Sequence, residues 1–258
     1  MRGAQMRFTY IGGPTALLEV SGLRLLTDPT FDSANQEYPT GVYTLRKTAA
    51  PALGPESLGR IDAVLLSHDH HFDNLDHAGR ALLDSVETVL TTPAGAERLG
   101  DHALGLANWQ SVDLPTRDGR VLRVTGTPAR HGPVGRDRGP VTGFVLVLTE
   151  SPRSAVYISG DTVWYEGVAE VSQHFSVQVA ILFMGAARVL EVGPAHLTLT
   201  TAEAVEAARV FAEATIVPLH YEGWAHYSES REQIEVGFAS AGLEHRLRWM
   251  EAGCATDV

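Results

Sequence analysis

The stretch VLLSHDHHFDNLDH, Val64–His77, joins a strand-length apolar run directly to four histidines and three aspartates. A run of that length bounded by polar residues fits a strand buried on both faces. The imidazoles and carboxylates then fall where this strand meets its loop. His68 and His70 stand two residues apart, so they can converge on one ion if the backbone turns between them. Imidazole with carboxylate is a donor set for zinc, iron or manganese.

The same arrangement recurs along the chain. VTGTPARHG ends an apolar run with His131, AVYISGDT ends one with Asp161, and TIVPLHYEG ends one with His220. Each alone is a weak signal; four strand ends bearing ligand-type residues form a constellation. His77, His102, His174 and His245 lie outside it and read as polar surface residues.

The segments around these ends alternate between strand and helix patterns. RFTYIGGPTALLEV and LRLLTDP read as strands broken by turn residues. NLDHAGRALLDS has helical spacing, ETVLTTP is a strand, AGAERLG a short helix and RVLRVTGTPA a strand. TGFVLVLTE and SAVYISGD pair across the SPR turn, and VQVAILF is a buried strand. TTAEAVEAARVFAEA is a helix opened by Thr200 or Thr201 with Glu203 nearby. TIVPLH is a strand, SESREQIEVGFASAG a helix and EHRLRWMEAG a final strand. No linker separates the halves, so residues 1–258 are expected to form one layered α/β domain. Residues 29–60 and 129–142 lack periodicity and are expected to wall a pocket, with Tyr38, Tyr43 and Arg136 in contact with substrate.

Composition narrows the function classes. The chain has 258 residues, 44% of them hydrophobic, and a formal net charge of −11. That charge disfavours a nucleic acid as main partner. No apolar run reaches membrane-span length, and the first residues lack the apolar core of a signal peptide. One cysteine, Cys254, fits a reducing cytoplasm. Lys47 is the single lysine among 20 basic residues, a bias that suggests a GC-rich bacterial genome.

Taken together, these motifs resemble the metallo-β-lactamase-fold hydrolase superfamily, whose pattern is His-x-His-x-Asp-His followed by a His, a bridging Asp and a last His. The opening FTYIGGPTALLEVSGLRLLTDPTF is similar to the branch holding ascorbate-6-phosphate lactonases and N-acylphosphatidylethanolamine phospholipase D enzymes. The resemblance implies a four-layer αββα sandwich and two divalent ions, zinc first, with manganese or iron as alternatives. It implies His68, His70 and His131 at the first ion, Asp161 as the bridge, and Asp73 and His220 at the second. Asp73 would also orient the nucleophile. The chain departs from the pattern by one extra residue, with Asn74 where the final His should stand. His71 is then either the inserted residue or a replacement ligand.

His196 precedes a helix and is either an oxyanion donor beside the substrate or a solvent-facing residue. His226 and Trp224 are candidates for the pocket rim. Arg130, Arg136 and Arg138 are either a solvated loop or an anion clamp. The implied activity is metal-dependent hydrolysis of a small ester, lactone, amide or phosphodiester. An iron oxidoreductase and a non-catalytic metal-binding module are the alternatives, and a homo-oligomer stays open. A flavin domain has no room in this length, and a nuclease lacks its inserted domain or basic arm.

Overall fold

The computed structural model describes residues 6–258. In chain order its strands are β1 (Met6–Gly12), β2 (Thr15–Val20), β3 (Leu23–Thr27), β4 (Glu37–Pro39), β5 (Thr44–Arg46), β6 (Ala63–Leu65), β7 (Val89–Thr91) and β8 (Ala103–Gly105). There follow β9 (Ser111–Pro115), β10 (Val121–Pro128), β11 (Thr142–Leu148), β12 (Ala155–Ile158), β13 (Val177–Phe183), β14 (Thr215–Leu219) and β15 (Ala255–Asp257). The helices are α1 (His77–Leu83), α2 (Pro93–Leu99), α3 (Glu166–His174), α4 (Thr201–Val210) and α5 (Arg231–Ser240).

Two sheets face each other, ordered β15-β1-β2-β3-β6-β7-β8 and β14-β13-β12-β11-β10-β9. Side chains alternate across each strand, and here both faces are apolar. Leu25 and Leu65 point between the sheets, while Leu26 and Val64 point outward against Leu83 and its neighbours of α1. In β13, Ile181 and Phe183 point inward, and Ala180 and Leu182 pack outward under α3, α4 and α5. The result is the expected αββα sandwich. No helix among the described residues is long and apolar enough to cross a membrane.

Strand direction gathers the functional ends. β10 and β12 are each antiparallel to β11, and β14 runs parallel to β13, which runs parallel to β12. The ends of β10, β12 and β14 therefore lie along one edge. β3 and β6 are parallel in the other sheet, and loops after parallel strands are where α/β sheets build sites.

Thr200 is the N-cap of α4, with Glu203 completing a capping box. EHRLRWMEAG is not a strand. It forms a 3-10 turn over Glu244–Arg246 and makes a single bridge, from Leu247 to Ile216. The Arg246 guanidinium donates to the carbonyls of Ala208, Phe211 and Ala214, satisfying the open C-terminal end of α4 and diverting the chain from the sheet. The final strand comes later, at β15. Residues 29–60 contain the small β4–β5 hairpin.

One buried ion pair holds that hairpin segment against the His-rich loop. Asp76, the N-cap of α1, accepts from the amides of Gly79, Phe31 and Asp32 and from Lys47 Nζ at 2.8 Å. Both members of the pair are almost fully buried. Removing one partner of such a pair strands the other charge, at a cost of about 3–5 kcal/mol. Lys47→Ala is expected to lose that much stability in urea unfolding. Arg46→Ala, which breaks an exposed pair with Glu37, is expected to cost at most about 1 kcal/mol.

Candidate metal centre

Four strand ends deliver side chains to one place. His68 follows β6, His131 follows β10, Asp161 follows β12 and His220 follows β14. His68, His131 and Asp161 form one group whose ligand atoms lie within 4.8 Å of one another, and Asp73, Asp161 and His220 form another. Asp161 is common to both. One oxygen lies 3.5 Å from His131 Nε2 and the other 3.3 Å from His220 Nε2. Neither oxygen accepts a hydrogen bond among the described residues, although both are buried. Asp73 Oδ2 lies 3.7 Å from His220 Nε2.

Partners behind the rings aim their lone pairs. His131 Nδ1 donates to the Leu197 carbonyl at 2.9 Å. His68 Nδ1 lies 2.9 Å from Ser67 Oγ, which itself donates to Asp28 Oδ2 at 2.7 Å. With those protons fixed on Nδ1, both Nε2 atoms present lone pairs to the group. Tyr227 Oη lies 2.7 Å from His220 Nδ1. Asp28 and His220 have positive φ values of 24° and 56°, a conformation in which non-glycine residues cluster at functional sites. The His220 amide is held there by the Gly13 carbonyl at 2.9 Å.

The electrostatics suit a cation. Burial holds His68 and His131 below the usual imidazole range, and neighbouring imidazoles add to this at His68. Burial would raise Asp161 and Asp73, but His220 and His131 beside the first and His226 beside the second bring both below the ordinary carboxylate range. Burial would lower His220, yet Asp161 and Asp73 keep it above its ordinary value. Burial pushes Asp28 up to about 7, against the pull of the Ser67 hydrogen bonds. Neutral His68 and His131 beside ionised carboxylates are the protonation states a divalent ion needs, and an ion bound at Asp161 and Asp73 would displace the proton those carboxylates favour on His220, so the donor set fits.

Other candidates lie elsewhere or in other roles. His70 forms a third group with His68 and His71, their ligand atoms within 4.8 Å of one another, while its Nε2 lies 2.8 Å from the Arg138 carbonyl. His71 Nδ1 instead lies 2.9 Å from His68 Nε2 and 3.2 Å from His131 Nε2. Asp69 turns away to Arg98 of α2. Asn74 is buried and donates to Asp28 Oδ2 at 3.2 Å. His196 is outside the group: its Nε2 lies 3.1 Å from Glu203 Oε2, which holds it above its usual pKa. An oxyanion donor at His196 would have to leave Glu203. Tyr38 does not line a pocket. It is sealed, with its hydroxyl on Asp32 and its ring stacked on Phe72 at 4.8 Å, because the hairpin folds inward there. Tyr43 does line a groove of about 210 Å³, with Arg188, Leu190 and His226. Arg130 packs over the Tyr165 ring, and Arg138 donates to Tyr43 Oη at 3.3 Å.

Asp28, Ser67 and Tyr227 escaped the sequence analysis because a lone Asp, Ser or Tyr carries no spacing signal. The position of Asp28 and Ser67 at the ends of adjacent strands was the available hint.

Comparison with known proteins gives the family and the fold. Residues 23–221 match the family model described as beta-lactamase superfamily domain. The chain belongs to this family. It is 24% identical over 250 residues to the UPF0173 protein YddR of Bacillus subtilis, covering 91% of this chain and 95% of that protein. It is 27% identical over 228 residues to a UPF0173 metal-dependent hydrolase of Pyrobaculum neutrophilum, covering 84% of each. The crystal structure of an isothiocyanate hydrolase from Delia radicum gut bacteria superposes with a TM-score of 0.81 at 23% identity, covering 98% of this chain and 100% of that one. That likeness shows the fold.

Partners behind metal-binding histidines typically carry about 10–100-fold in metal affinity. Ser67→Ala removes the group that fixes the His68 tautomer. It is expected to weaken metal binding by that factor in a chelator competition titration, with the circular dichroism spectrum unchanged.

Proposed function

We propose that the chain is a metal-dependent hydrolase acting on a small ester, lactone, amide or phosphodiester. The observation that carries this is Asp161, a buried carboxylate whose two oxygens each face a histidine of a different group, at 3.5 and 3.3 Å, without a well-formed hydrogen bond among the described residues. An uncompensated buried carboxylate is costly unless it is paired or binds metal. His68 and His131 on one side, and Asp73 and His220 on the other, supply the remaining donors for two ions, zinc first, with manganese or iron able to use the same set. Bound there, divalent ions lower the pKa of water from about 15.7 towards ~7 and polarise the scissile oxygen.

The protein's own residues supply the rest. Asp73 is placed to accept a proton from the attacking water and to hold its direction. Ser67 and the Leu197 carbonyl keep two imidazoles in the ligating tautomer. The groove past Tyr43 and Arg188 is lined by His226, whose Nε2 lies 3.0 Å from Asp73 Oδ2, and this side is the approach assigned to a small substrate. The family membership and the relatives named as metal-dependent hydrolases support the reaction type, and the TDPTF opening supports the lactonase and phospholipase D side of the superfamily.

Zinc or manganese is expected to raise the melting temperature of the metal-stripped protein. An ion at one hundred times its dissociation constant stabilises by about 2.7 kcal/mol. The loaded protein is expected to hydrolyse at least one member of a panel of generic esters, lactones, amides and phosphodiesters. Asp161→Asn is expected to lose both responses. A loaded wild type that is silent across the whole panel, or an Asp161→Asn protein that binds and turns over normally, would contradict the proposal.

A further inference from the structure

The extra residue in SHDHHFDN changes which side chains can reach the two groups around Asp161. We propose that His71, rather than His70, completes the group formed by His68 and His131, and that His226 closes the group around Asp73 where residue 74 is an asparagine. This rests on the metal-dependent reading above.

At the first group, His71 Nδ1 contacts both partners, at 2.9 Å from His68 Nε2 and 3.2 Å from His131 Nε2. Two donors sharing a tetrahedral ion with bonds near 2.0–2.1 Å stand about 3.3 Å apart, so these separations match a shared ion. They do not make a satisfied hydrogen-bond network. His68 and His131 already use Nδ1 on Ser67 and Leu197, and both present Nε2 lone pairs. A single proton on His71 Nδ1 can serve only one of them.

His70 falls in a group with His68 and His71 whose ligand atoms lie within 4.8 Å of one another, but not in the groups that contain His131 or Asp161, and its outer nitrogen has another task. Its Nε2 donates to the Arg138 carbonyl at 2.8 Å, across 68 residues of chain. Gly139, with φ of 104°, lies against the same ring, and a Cβ there would come within 2.9 Å of His70 Nε2. The close approach requires glycine. His70 therefore anchors the 129–142 loop, and that loop carries Arg138 to Tyr43 at the mouth of the groove.

At the second group, Asn74 sends its amide nitrogen to Asp28, and His226 Nε2 lies 3.0 Å from Asp73 Oδ2. The His226 ring is 10% exposed, and its Nδ1 has no hydrogen-bond partner among the described residues. His226 belongs to the same loop as His220 and Tyr227, so one segment brings two imidazoles to Asp73.

The test is ion stoichiometry by plasma mass spectrometry after zinc loading and gel filtration. Trypsin digestion and the electronic spectrum of cobalt-loaded protein serve as further readouts. Wild type and His70→Ala are expected to hold two ions, while His71→Ala and His226→Ala each hold one. His70→Ala is also expected to be cut faster after Arg136 and Arg138. If His71→Ala does not fold, judged by its metal-free melt, His71→Gln replaces it and the cobalt spectrum reports the lost nitrogen donor. Loss of an ion from His70→Ala, or two ions in His226→Ala or in the folded His71 variant, overturns the exchange of ligands and leaves the hydrolase reading standing. A wild type that holds no ion overturns both.

Discussion

The carboxylate of Asp161 is the constraint around which this structure is arranged. It is fully buried at the edge between two apolar sheets, where an ionised group without partners is strongly disfavoured. No backbone amide or hydroxyl reaches it. What surrounds it is a set of imidazoles and a second carboxylate, each brought by a different strand end. Such a set calls for compensating positive charge, from a protonated His220 or from a bound cation. Burial favours the neutral rings of His68 and His131, and the neighbouring histidines, against burial, favour the ionised carboxylates of Asp73 and Asp161.

The surrounding chain shows how that arrangement is held. Asp28 and His220 sit in left-handed backbone conformations at the ends of β3 and β14. Asp28 works through Ser67 on His68, and His220 is fixed from both sides by Gly13 and Tyr227. The Lys47–Asp76 pair lies behind them and ties the β4–β5 segment to the start of α1. It pins the Asp76 end of the loop that begins at His68. That loop can hold an extra residue because its ends are fixed by β6 and by the α1 cap, so the added length is absorbed between them, where His70 swings out to Arg138.

The layers of the fold were legible in the sequence because each buried strand is a short apolar run and each helix carries a cap or a 3.6-residue stripe. Thr200 with Glu203 marked α4, and the runs before His68, His131, Asp161 and His220 marked their strands. EHRLRWMEAG misled because its apolar alternation is genuine, but Arg246 is drawn to the carbonyls at the end of α4. Helix α3 is the exception: Glu166–His174 has no side-chain cap, and its buried stripe is only Gly167, Val168 and Val171, too short to stand out in the sequence. At the site, residue types and strand ends pointed to the edge where the structure brings His68, His131, Asp161 and His220 together. How His70 and His71 are placed was not legible, because it depends on how one loop turns and on the contact of His70 with Arg138 and Gly139, 68 and 69 residues away in the chain. Tyr38 and His196 look like pocket residues by position alone; their partners, Asp32 and Glu203, are tertiary or capping contacts that spacing does not show.

Anomalous X-ray scattering from crystals grown with zinc tests the central claim most directly. The account predicts two peaks, one on each side of the Asp161 carboxylate. The first lies within bonding distance of His68, His71 and His131, and the second within bonding distance of Asp73, His220 and His226. A single peak held by His70 and remote from Asp161, or no peak at that edge of the sheets, would contradict it.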